Sequence, residues 1–299
     1  MTLAELRRYG ALLLMGYVAL FLLLHTPDPA RVGGAGILAA QPAGYLQAAE
    51  KLNPIQQLNL RLGARAPVAL QLETLAVLAF IFWAYLRATQ VVRNELRAAY
   101  GLRVILGGVA LFSVPLLLLP YILSTDIYNY VMFGRIAAIY GDNPMIMPPS
   151  AYPQDPFLKY ATIHHLHEPA VYGPVWLLFS HGLTLIVERL GGALWLYVGA
   201  YKMAALAFHL VSAVLIWQIL GRWKPQQQLA GTLLYAWNPL ALIEFAGSGH
   251  NDPLMISLIL LGIWLALRSG WRLATVALAA AILIKWIPAL LLSLYALLL

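Results

Sequence analysis

Asp126 occupies a position in this chain that is typical of membrane-protein chemistry. It follows the uncharged apolar stretch 104–123 after two intervening residues, and Tyr128, Asn129 and Arg135 come soon after it. Ionisable groups near a bilayer are costly to bury, so those that occur there usually have a function. Asp126 or the preceding Thr125 can also be the N-cap of a helix that begins near Ile127. The two roles are compatible, because a capping carboxylate can remain accessible at the membrane surface.

A second polar group lies in the segment 247–253, between two apolar stretches. Asp252 precedes Pro253, which is a common arrangement at a helix N-terminus. A cap therefore explains Asp252, but it does not explain His250 and Asn251 in the same glycine-flanked turn. We expect these side chains to contact a polar ligand.

Three further ionisable residues lie in apolar stretches. Glu244 follows Asn238-Pro239, and it either faces an internal cavity or bonds to backbone groups freed by the proline. Lys285, which precedes Trp286 in the last apolar run, is placed to meet a phosphate. Lys202 lies near a helix end, where a lysine ammonium can reach the membrane surface.

The composition predicts an integral membrane protein. The chain is 62% hydrophobic and 10% charged, whereas globular chains are about 25% charged, and its mean hydropathy is +0.76. The net charge of +7 does not indicate nucleic-acid binding, because the basic residues lie between apolar segments. Without cysteine, thiolate metal sites are excluded. The His164–Glu168 cluster lacks the zinc-protease spacing, so a role in binding polar substrate is favoured over metal binding.

The apolar stretches predict seven or more membrane-spanning helices, each needing about 20 residues. We predict spans at 9–24, 67–86, 104–123, 201–220, 229–249, 253–267 and from 273 onward. Arginines and lysines favour the cytoplasmic side of a membrane. They place the segments before the first span, between the second and third, and after 220 and 267 in the cytoplasm.

This charge pattern leaves 25–66, 124–200 and 248–252 on the extracytoplasmic side. It requires that 172–190 lies along the membrane surface and does not cross it. If that stretch crossed, Asp126 and His250 would lie on opposite faces. We therefore predict an all-α polytopic transmembrane bundle with an extracytoplasmic loop containing juxtamembrane helices. It forms one domain, 1–299, with two N-terminal spans in 1–103 and a core in 104–299 that we expect to continue beyond residue 299.

The order of several short motifs resembles the GT-C superfamily of polytopic glycosyltransferases. Within it, the sequence is similar to polyprenyl-phosphate-mannose-dependent mannosyltransferases, including the glycosyltransferase family 87-like group. The motifs lie within 104–299, and in chain order they are Thr125-Asp126, Tyr172-Gly173-Pro174, Trp237-Asn238-Pro239, Glu244, Gly249-His250-Asn251-Asp252 and Lys285-Trp286-Ile287-Pro288. In that family the first catalytic loop follows the first span, whereas here it follows the third predicted span.

The resemblance implies a hexosyltransferase of the cell membrane with its active site on the extracytoplasmic face. It would move a hexose, mannose in the nearest relatives, from a polyprenyl-phosphate donor to a lipid or glycan acceptor with inversion, and Asp126 would be the general base. The residues expected to bind substrate are Tyr128, Asn129, Arg135, Tyr172, Glu244, His250, Asn251, Asp252 and Lys285. No cofactor is required, although a divalent cation, Mg²⁺ or Mn²⁺, could bridge Asp126 and phosphate.

Two other classes of protein stay open. A transporter or flippase for a lipid-linked or polar solute would line its path with Glu244, His250 and Lys285. It would also show paired repeats and broken helices in both halves, and the sequence has one Asn-Pro break and no evident repeat. A non-catalytic scaffold would leave the polar groups at one membrane face unexplained.

Overall fold

The computed structural model describes residues 3–24, 67–95, 101–119, 124–161 and 165–290. Within these ranges the chain is helical and contains no β-strand. The whole predicted extracytoplasmic segment 25–66, residues 120–123, His164 and the end of the last apolar run, 291–299, lie outside the described residues. The all-α prediction is confirmed.

Ten α-helices follow one another in the described residues, and two of them continue into a π-helical turn. They are α1 (Leu3–Leu24), α2 (Pro67–Glu95), α3 (Gly101–Leu117), α4 (Asp126–Arg135, then the π turn Ile136–Tyr140), α5 (Pro174–Arg189), α6 (Leu194–Trp223), α7 (Gln228–Ala236), α8 (Pro239–Leu242, then the π turn Ile243–Gly247), α9 (Asp252–Ala266) and α10 (Trp271–Ile282).

Three described helices are long and apolar enough to cross a membrane, at Ala4–Leu24, Leu72–Val92 and Leu194–Trp223. The pair Pro225–Ala236 and Pro239–Gly247 forms a fourth candidate, bent by 46°. The predicted spans at 104–123, 253–267 and from 273 onward correspond to shorter apolar helices, namely α3, α9 and α10. The structure therefore has the predicted helices, and fewer of them reach full spanning length.

The bend between α7 and α8 arises from Asn238-Pro239. The Oδ1 atom of Asn238 accepts hydrogen bonds from the backbone N–H groups of Leu240, at 3.0 Å, and Ala241, at 3.4 Å. Asn238 is thus an N-cap, and Pro239 occupies the first turn, where its missing N–H costs nothing. The new helix then continues into the π turn that carries Glu244.

One core joins α1, α2 and α3 to α6, α7 and the π turn after α8. Trp237 fills its centre and donates a hydrogen bond of 2.9 Å to the backbone carbonyl of Ile105. Its ring meets Phe112 edge-to-face with 5.0 Å between the ring centres. A side chain at Gly108 would lie 2.6 Å from the same indole, so only glycine allows this close approach.

A second core packs α4 against α5, α6, α9 and the end of α10, and it lies beneath the polar residues identified in the sequence. α5 corresponds to the stretch 172–190, predicted to lie along the membrane surface. Its 16 residues give a length of about 24 Å, less than the ~30 Å hydrocarbon core. Length alone does not distinguish α5 from α9 or α10, which are at least as short but were predicted to cross the membrane. The position of α5 along the membrane surface therefore stays a prediction.

Candidate active site

Asp126 is the first residue of α4, and Thr125 occupies the N-cap position. Of the two N-cap candidates in the sequence, the structure has Thr125 at that position, without a side-chain hydrogen bond to the helix. The Asp126 carboxylate instead accepts a hydrogen bond of 3.2 Å from the hydroxyl of Tyr172, a residue 46 positions later that precedes α5. The backbone N–H of Asp126 donates to the Ser124 hydroxyl at 3.1 Å.

The segment after Tyr172 connects α4 to the end of α10. The backbone N–H of Gly173 donates to the carbonyl of Ile284 at 3.0 Å, and that of Val175 donates to Leu283 at 3.1 Å. These two bonds place Tyr172 beside Lys285. The apolar run at the end of the chain and the loop after α4 therefore meet at one point.

Lys285 continues the chain of contacts to α9. Its ammonium lies 2.7 Å from Oδ1 of Asp252. Asn251 is the N-cap of α9, one position before the residue expected from the sequence, and Asp252 belongs to the first helical turn. The carboxylate of Asp252 is thus occupied by a lysine and not by its own helix.

His250 completes the group and lies between two carboxylates. Its Nε2 atom is 3.1 Å from Oε2 of Glu244, and its Nδ1 atom is 3.8 Å from Oδ2 of Asp252. Burial favours the neutral imidazole, but the hydrogen bond to Glu244 and the charges of Glu244, Asp252 and Asp126 outweigh it and raise the pKa of His250 above 6.5. These carboxylates therefore favour the imidazolium to a higher pH than for an ordinary histidine.

These contacts form two groups, Asp126 with Tyr172 and Glu244 with His250, Asp252 and Lys285. The backbone bonds from the segment after Tyr172 to the residues before Lys285 bring the two groups to one end of the bundle, and we call them together the polar cluster. Its members are Asp126, Tyr172, Glu244, His250, Asp252 and Lys285. Asp126 and His250 therefore lie at the same end, as expected if α5 does not cross the membrane. Burial and the charge of Asp126 also raise the pKa of Tyr172, so the phenol stays protonated as a donor.

Asn251 adds an unsatisfied amide between His250 and Asp252. The residue is 1% exposed, and neither its Nδ2 nor its Oδ1 atom has a hydrogen-bond partner within the described parts of the chain. A buried polar group left unpaired costs about 1–3 kcal/mol. Such a cost at a functional site indicates a group held for a ligand.

Arg135 does not join the polar cluster. It lies nine residues after Asp126 along a helix, which is about 13 Å of rise and half a turn out of phase. Its Nε binds Asp155 at 2.9 Å, and its NH1 binds Glu188 at 2.6 Å. The guanidinium also lies 4.6 Å from the ring centre of Phe157. Instead of contacting the cluster, Arg135 fixes the loop after α4 onto α5.

Tyr128 and Asn129 are also placed away from the chain of contacts. Both are buried in α4, at 2% and 1% exposure, and the Tyr128 ring stacks on Tyr160 with 6.2 Å between the ring centres. They lie in the buried part of α4, beneath the polar cluster. Their expected contact with substrate stays a prediction.

Lys202 is a residue whose importance the sequence did not reveal. It is fully buried and so does not extend to the membrane surface as expected. Its ammonium donates to the backbone carbonyls of Leu116, at 3.3 Å, and Leu119 at the end of α3. Its side chain also lies under Gly249, where an added Cβ would be 3.3 Å from Lys202 Cγ. Lys202 thus lies beneath both segments that lead to the polar cluster.

Within the residues that the structure describes, no group of three or more His, Asp or Glu side chains is arranged to hold a metal ion. A cation at the polar cluster would therefore need further ligands from a bound substrate. Mg²⁺ is commonly held in this way, by one or two carboxylates together with phosphate oxygens. The donor set fits a substrate-borne cation, and it does not fit a site built from protein ligands alone.

Comparison with known proteins gives the chain a family. Residues 31–299 match the model described as "Alpha-(1->6)-mannopyranosyltransferase, N-terminal domain". Alpha-(1→6)-mannopyranosyltransferase A of Corynebacterium glutamicum is 27% identical over 172 residues, or 58% of this chain and 34% of the relative. Alpha-(1→6)-mannopyranosyltransferase B of the same organism is 25% identical over 167 residues, or 54% of this chain and 26% of the relative.

These alignments cover a third or less of each relative's length. No solved structure matches the chain. The family model nevertheless covers most of the sequence and includes every residue of the polar cluster. The chain therefore belongs to the alpha-(1→6)-mannopyranosyltransferase family.

Proposed function

We propose that this protein is a membrane mannosyltransferase that moves mannose from a polyprenyl-phosphate donor to a hydroxyl of a lipid or glycan acceptor. The observation that carries this proposal is the polar cluster, in which carboxylates and potential phosphate-binding cations from four separate segments meet at one end of an apolar bundle. Its family relatives are named as alpha-(1→6)-mannopyranosyltransferases. A lipid-linked donor suits a site at the end of apolar helices.

Asp126 acts as the general base in this proposal. Its carboxylate takes the proton of the acceptor hydroxyl while the acceptor oxygen forms a bond to the anomeric carbon of mannose. The bond between that carbon and the phosphate oxygen breaks, and the polyprenyl phosphate leaves with the bonding electrons. Attack opposite the leaving group inverts the anomeric configuration. Tyr172, which donates to Asp126 at 3.2 Å, holds the carboxylate in position and yields its place to the acceptor hydroxyl.

His250 and Lys285 stabilise the phosphate as its negative charge grows. Fixed cations and donors around a leaving group are often the largest contribution to catalysis. The raised pKa of His250 keeps the imidazole protonated. Lys285 is held by Asp252 at 2.7 Å, and its ammonium has further donors that can reach a phosphate oxygen. The N-termini of α4 and α9 also meet here, and helix N-termini favour anions.

Asn251, Glu244 and Asp252 recognise the sugar. The unpaired amide of Asn251 offers two donors and an acceptor, which suits a ring carrying several hydroxyls. Glu244 and Asp252 accept hydrogen bonds from hydroxyls while they hold His250. A divalent cation shared between Asp126 and the donor phosphate is compatible with the donor set, and it would supply additional charge stabilisation.

The cluster lies on the extracytoplasmic face of the cell membrane in this proposal. The charge of the connecting segments supports that orientation, since Arg222 and Arg268 lie at the opposite ends of α6 and α9 from the cluster. The partners are the lipid-linked donor, the acceptor and the surrounding membrane lipids, and nucleic acid is not among them.

Transfer of radiolabelled mannose from polyprenyl-phosphate-mannose in membranes tests the proposal, with Asp126→Asn compared with wild type. Loss of a general base typically costs 10²–10⁴-fold in rate, so we expect transfer by the variant to fall by about that factor. Asparagine keeps the size of the side chain and can still bond to Tyr172, so the fold should survive.

Asp142→Asn is the matched control, because Asp142 is an exposed carboxylate of the same loop that lies outside the polar cluster. The amide oxygen can still accept the hydrogen bond from the Tyr152 hydroxyl, so this substitution should leave transfer unchanged. Full activity in Asp126→Asn would eliminate Asp126 as the base. Absence of mannosyl transfer by wild type, together with solute flux into vesicles, would favour the transporter instead.

A further inference from the structure

A cavity lies at the opposite end of the bundle from the polar cluster. It has a volume of about 440 Å³ and opens where the C-terminal ends of α6 and α9 meet the start of α7. The whole of α9 separates it from Asp252, at about 22 Å for 15 residues. Its polar lining comes from Gln218, Arg222, Gln228 and Arg268, with Trp217 and Trp264 beside them.

Two arginines line this cavity without acidic partners. Neither Arg222 nor Arg268 has a carboxylate partner in the ranges that the structure describes. The Arg268 guanidinium lies 4.2 Å from the ring centre of Trp264, which holds it at the cavity. The nearby Gln228 amide is already engaged and donates to the carbonyl of Trp217 at 2.9 Å. The cavity therefore has an uncompensated positive charge.

A purely apolar groove of about 390 Å³ continues from the cavity along α6 and α9. Ile219 and Leu267 line both spaces, so the two form one elongated site with a charged end and an apolar body. The remaining lining of the groove comes from Ile216, Leu220, Trp223, Leu260 and Ile263.

We propose that this site binds an anionic phospholipid, with its phosphate between Arg222 and Arg268 and an acyl chain in the groove. Arginine forms paired hydrogen bonds with phosphate oxygens, and the apolar groove offers a surface against which a hydrocarbon chain packs favourably. Cytoplasmic arginines at helix ends are explained by topology alone. Topology does not explain a cavity between two unpaired arginines that opens into an apolar groove.

The inference is independent of the proposed transferase activity, because no residue of the polar cluster takes part. The inference also agrees with the predicted orientation, which puts the C-terminal ends of α6 and α9 at the cytoplasmic leaflet. That leaflet carries anionic lipids, which attract Lys and Arg side chains near its surface.

Photocrosslinking tests the site directly. Purified full-length protein in mixed micelles is irradiated with phosphatidylglycerol that carries a diazirine on one acyl chain, and crosslinked peptides are identified by mass spectrometry. We expect crosslinks within 216–223 and 260–267. The double variant Arg222→Gln/Arg268→Gln should lower their yield about tenfold at limiting probe, since both side chains are exposed and the fold does not depend on them.

Arg189→Gln provides the matched control, because Arg189 is an exposed arginine at the end of α5, and its yield should equal that of wild type. A phosphatidylcholine probe with the same diazirine chain should crosslink about as weakly as the double variant does with phosphatidylglycerol. Equal yields from the two probes, an undiminished yield in the double variant, or crosslinks confined to other helices would each overturn the proposal.

Discussion

The protonation of His250 follows from the two carboxylates beside it. Burial favours the neutral ring, but Glu244 at 3.1 Å and the more distant charges of Asp252 and Asp126 favour the imidazolium. If the imidazolium stabilises the leaving phosphate, activity must fall as pH rises through the raised pKa of His250. The alkaline side of the pH–rate profile should therefore lie above 6.5, the ordinary histidine pKa.

Glu244→Gln tests this dependence at the level of one residue. The substitution removes the carboxylate that most raises the pKa of His250, while burial, which lowers that pKa, is retained. The alkaline limb of kcat should therefore move to lower pH. Profiles of transfer rate between pH 5 and 9, for wild type and variant, measure the shift.

Glu73→Gln is a suitable control, since Glu73 is a carboxylate of α2 and is not among the groups that shift the pKa of His250; its profile should match that of wild type. An unmoved alkaline limb in Glu244→Gln would show that His250 is not the titrating group. Arg135, in contrast, remains charged throughout this range, so its network cannot produce such a shift.

At the scale of the helices, Lys202 of α6 connects the end of α3 to the turn that carries His250. Its ammonium holds the carbonyls of Leu116 and Leu119 at the end of α3, and its side chain lies under Gly249. Among the described residues it has no carboxylate partner, so its bonds to α3 are what compensate its burial. The helix leading to Asp126 and the turn leading to His250 are thus both supported by one side chain of α6.

Lys202→Met keeps the length of the side chain and removes these bonds. The carbonyls of Leu116 and Leu119 would lose their donor, and we expect the free energy of unfolding to fall by about 1–3 kcal/mol. Because the end of α3 leads towards Asp126, kcat should fall more than KM changes. Thermal unfolding and transfer kinetics measure the two effects.

Lys159→Met is the corresponding control, because Lys159 is an exposed loop lysine that lies over the ring of Tyr160. It should change stability by less than about 0.5 kcal/mol. Desolvation of a lysine is itself costly, so a Lys202→Met variant that is more stable and fully active would show that the lysine does not support the site.

At the scale of the whole molecule, the sequence contained the helices and much of the site. Apolar runs predicted the long helices of the bundle, and the capping residues before Ile127 predicted α4. The charge of the connecting segments placed Asp126 and His250 at one end. The partners of Arg135 were not predictable in this way, because Asp155 and Glu188 lie 20 and 53 residues away. Helix geometry alone, however, could have separated Arg135 from Asp126, since nine residues put them half a turn apart.

The contact of Tyr172 with Asp126 and the burial of Lys202 likewise depend on tertiary packing. A lysine near a helix end extends to the surface only if no other element covers it, and here the end of α3 does. Helix bounds were not determined by the apolar runs either. The predicted spans 9–24, 67–86 and 201–220 are shorter than the helices that contain them. The apolar run 229–249 also does not show that Asn238 will start a new helix within it.

Gly173 attaches the loop after α4 to the end of α10 beside the polar cluster. Its N–H bonds to Ile284 and the neighbouring Val175 bonds to Leu283, so the loop after α4 is attached to the end of α10. A Cβ at Gly173 would overlap the backbone carbonyl of Leu283. Gly173→Ala should therefore push Lys285 away from Tyr172 and lower transfer by at least about tenfold, since small misplacements of catalytic groups cost up to about 10²-fold.

Gly182→Ala is the matched control for this variant, because a Cβ at Gly182 in α5 meets no other atom within 4 Å. Alanine in a helix is favoured over glycine by about 0.5–1 kcal/mol, so this control should be at least as stable as wild type and equally active. A crosslink between cysteines introduced at Val171 and Trp286, both exposed, reports whether the two segments remain adjacent. If Gly173→Ala keeps both the crosslink and full transfer, the attachment of α10 to the loop does not determine the geometry of the site.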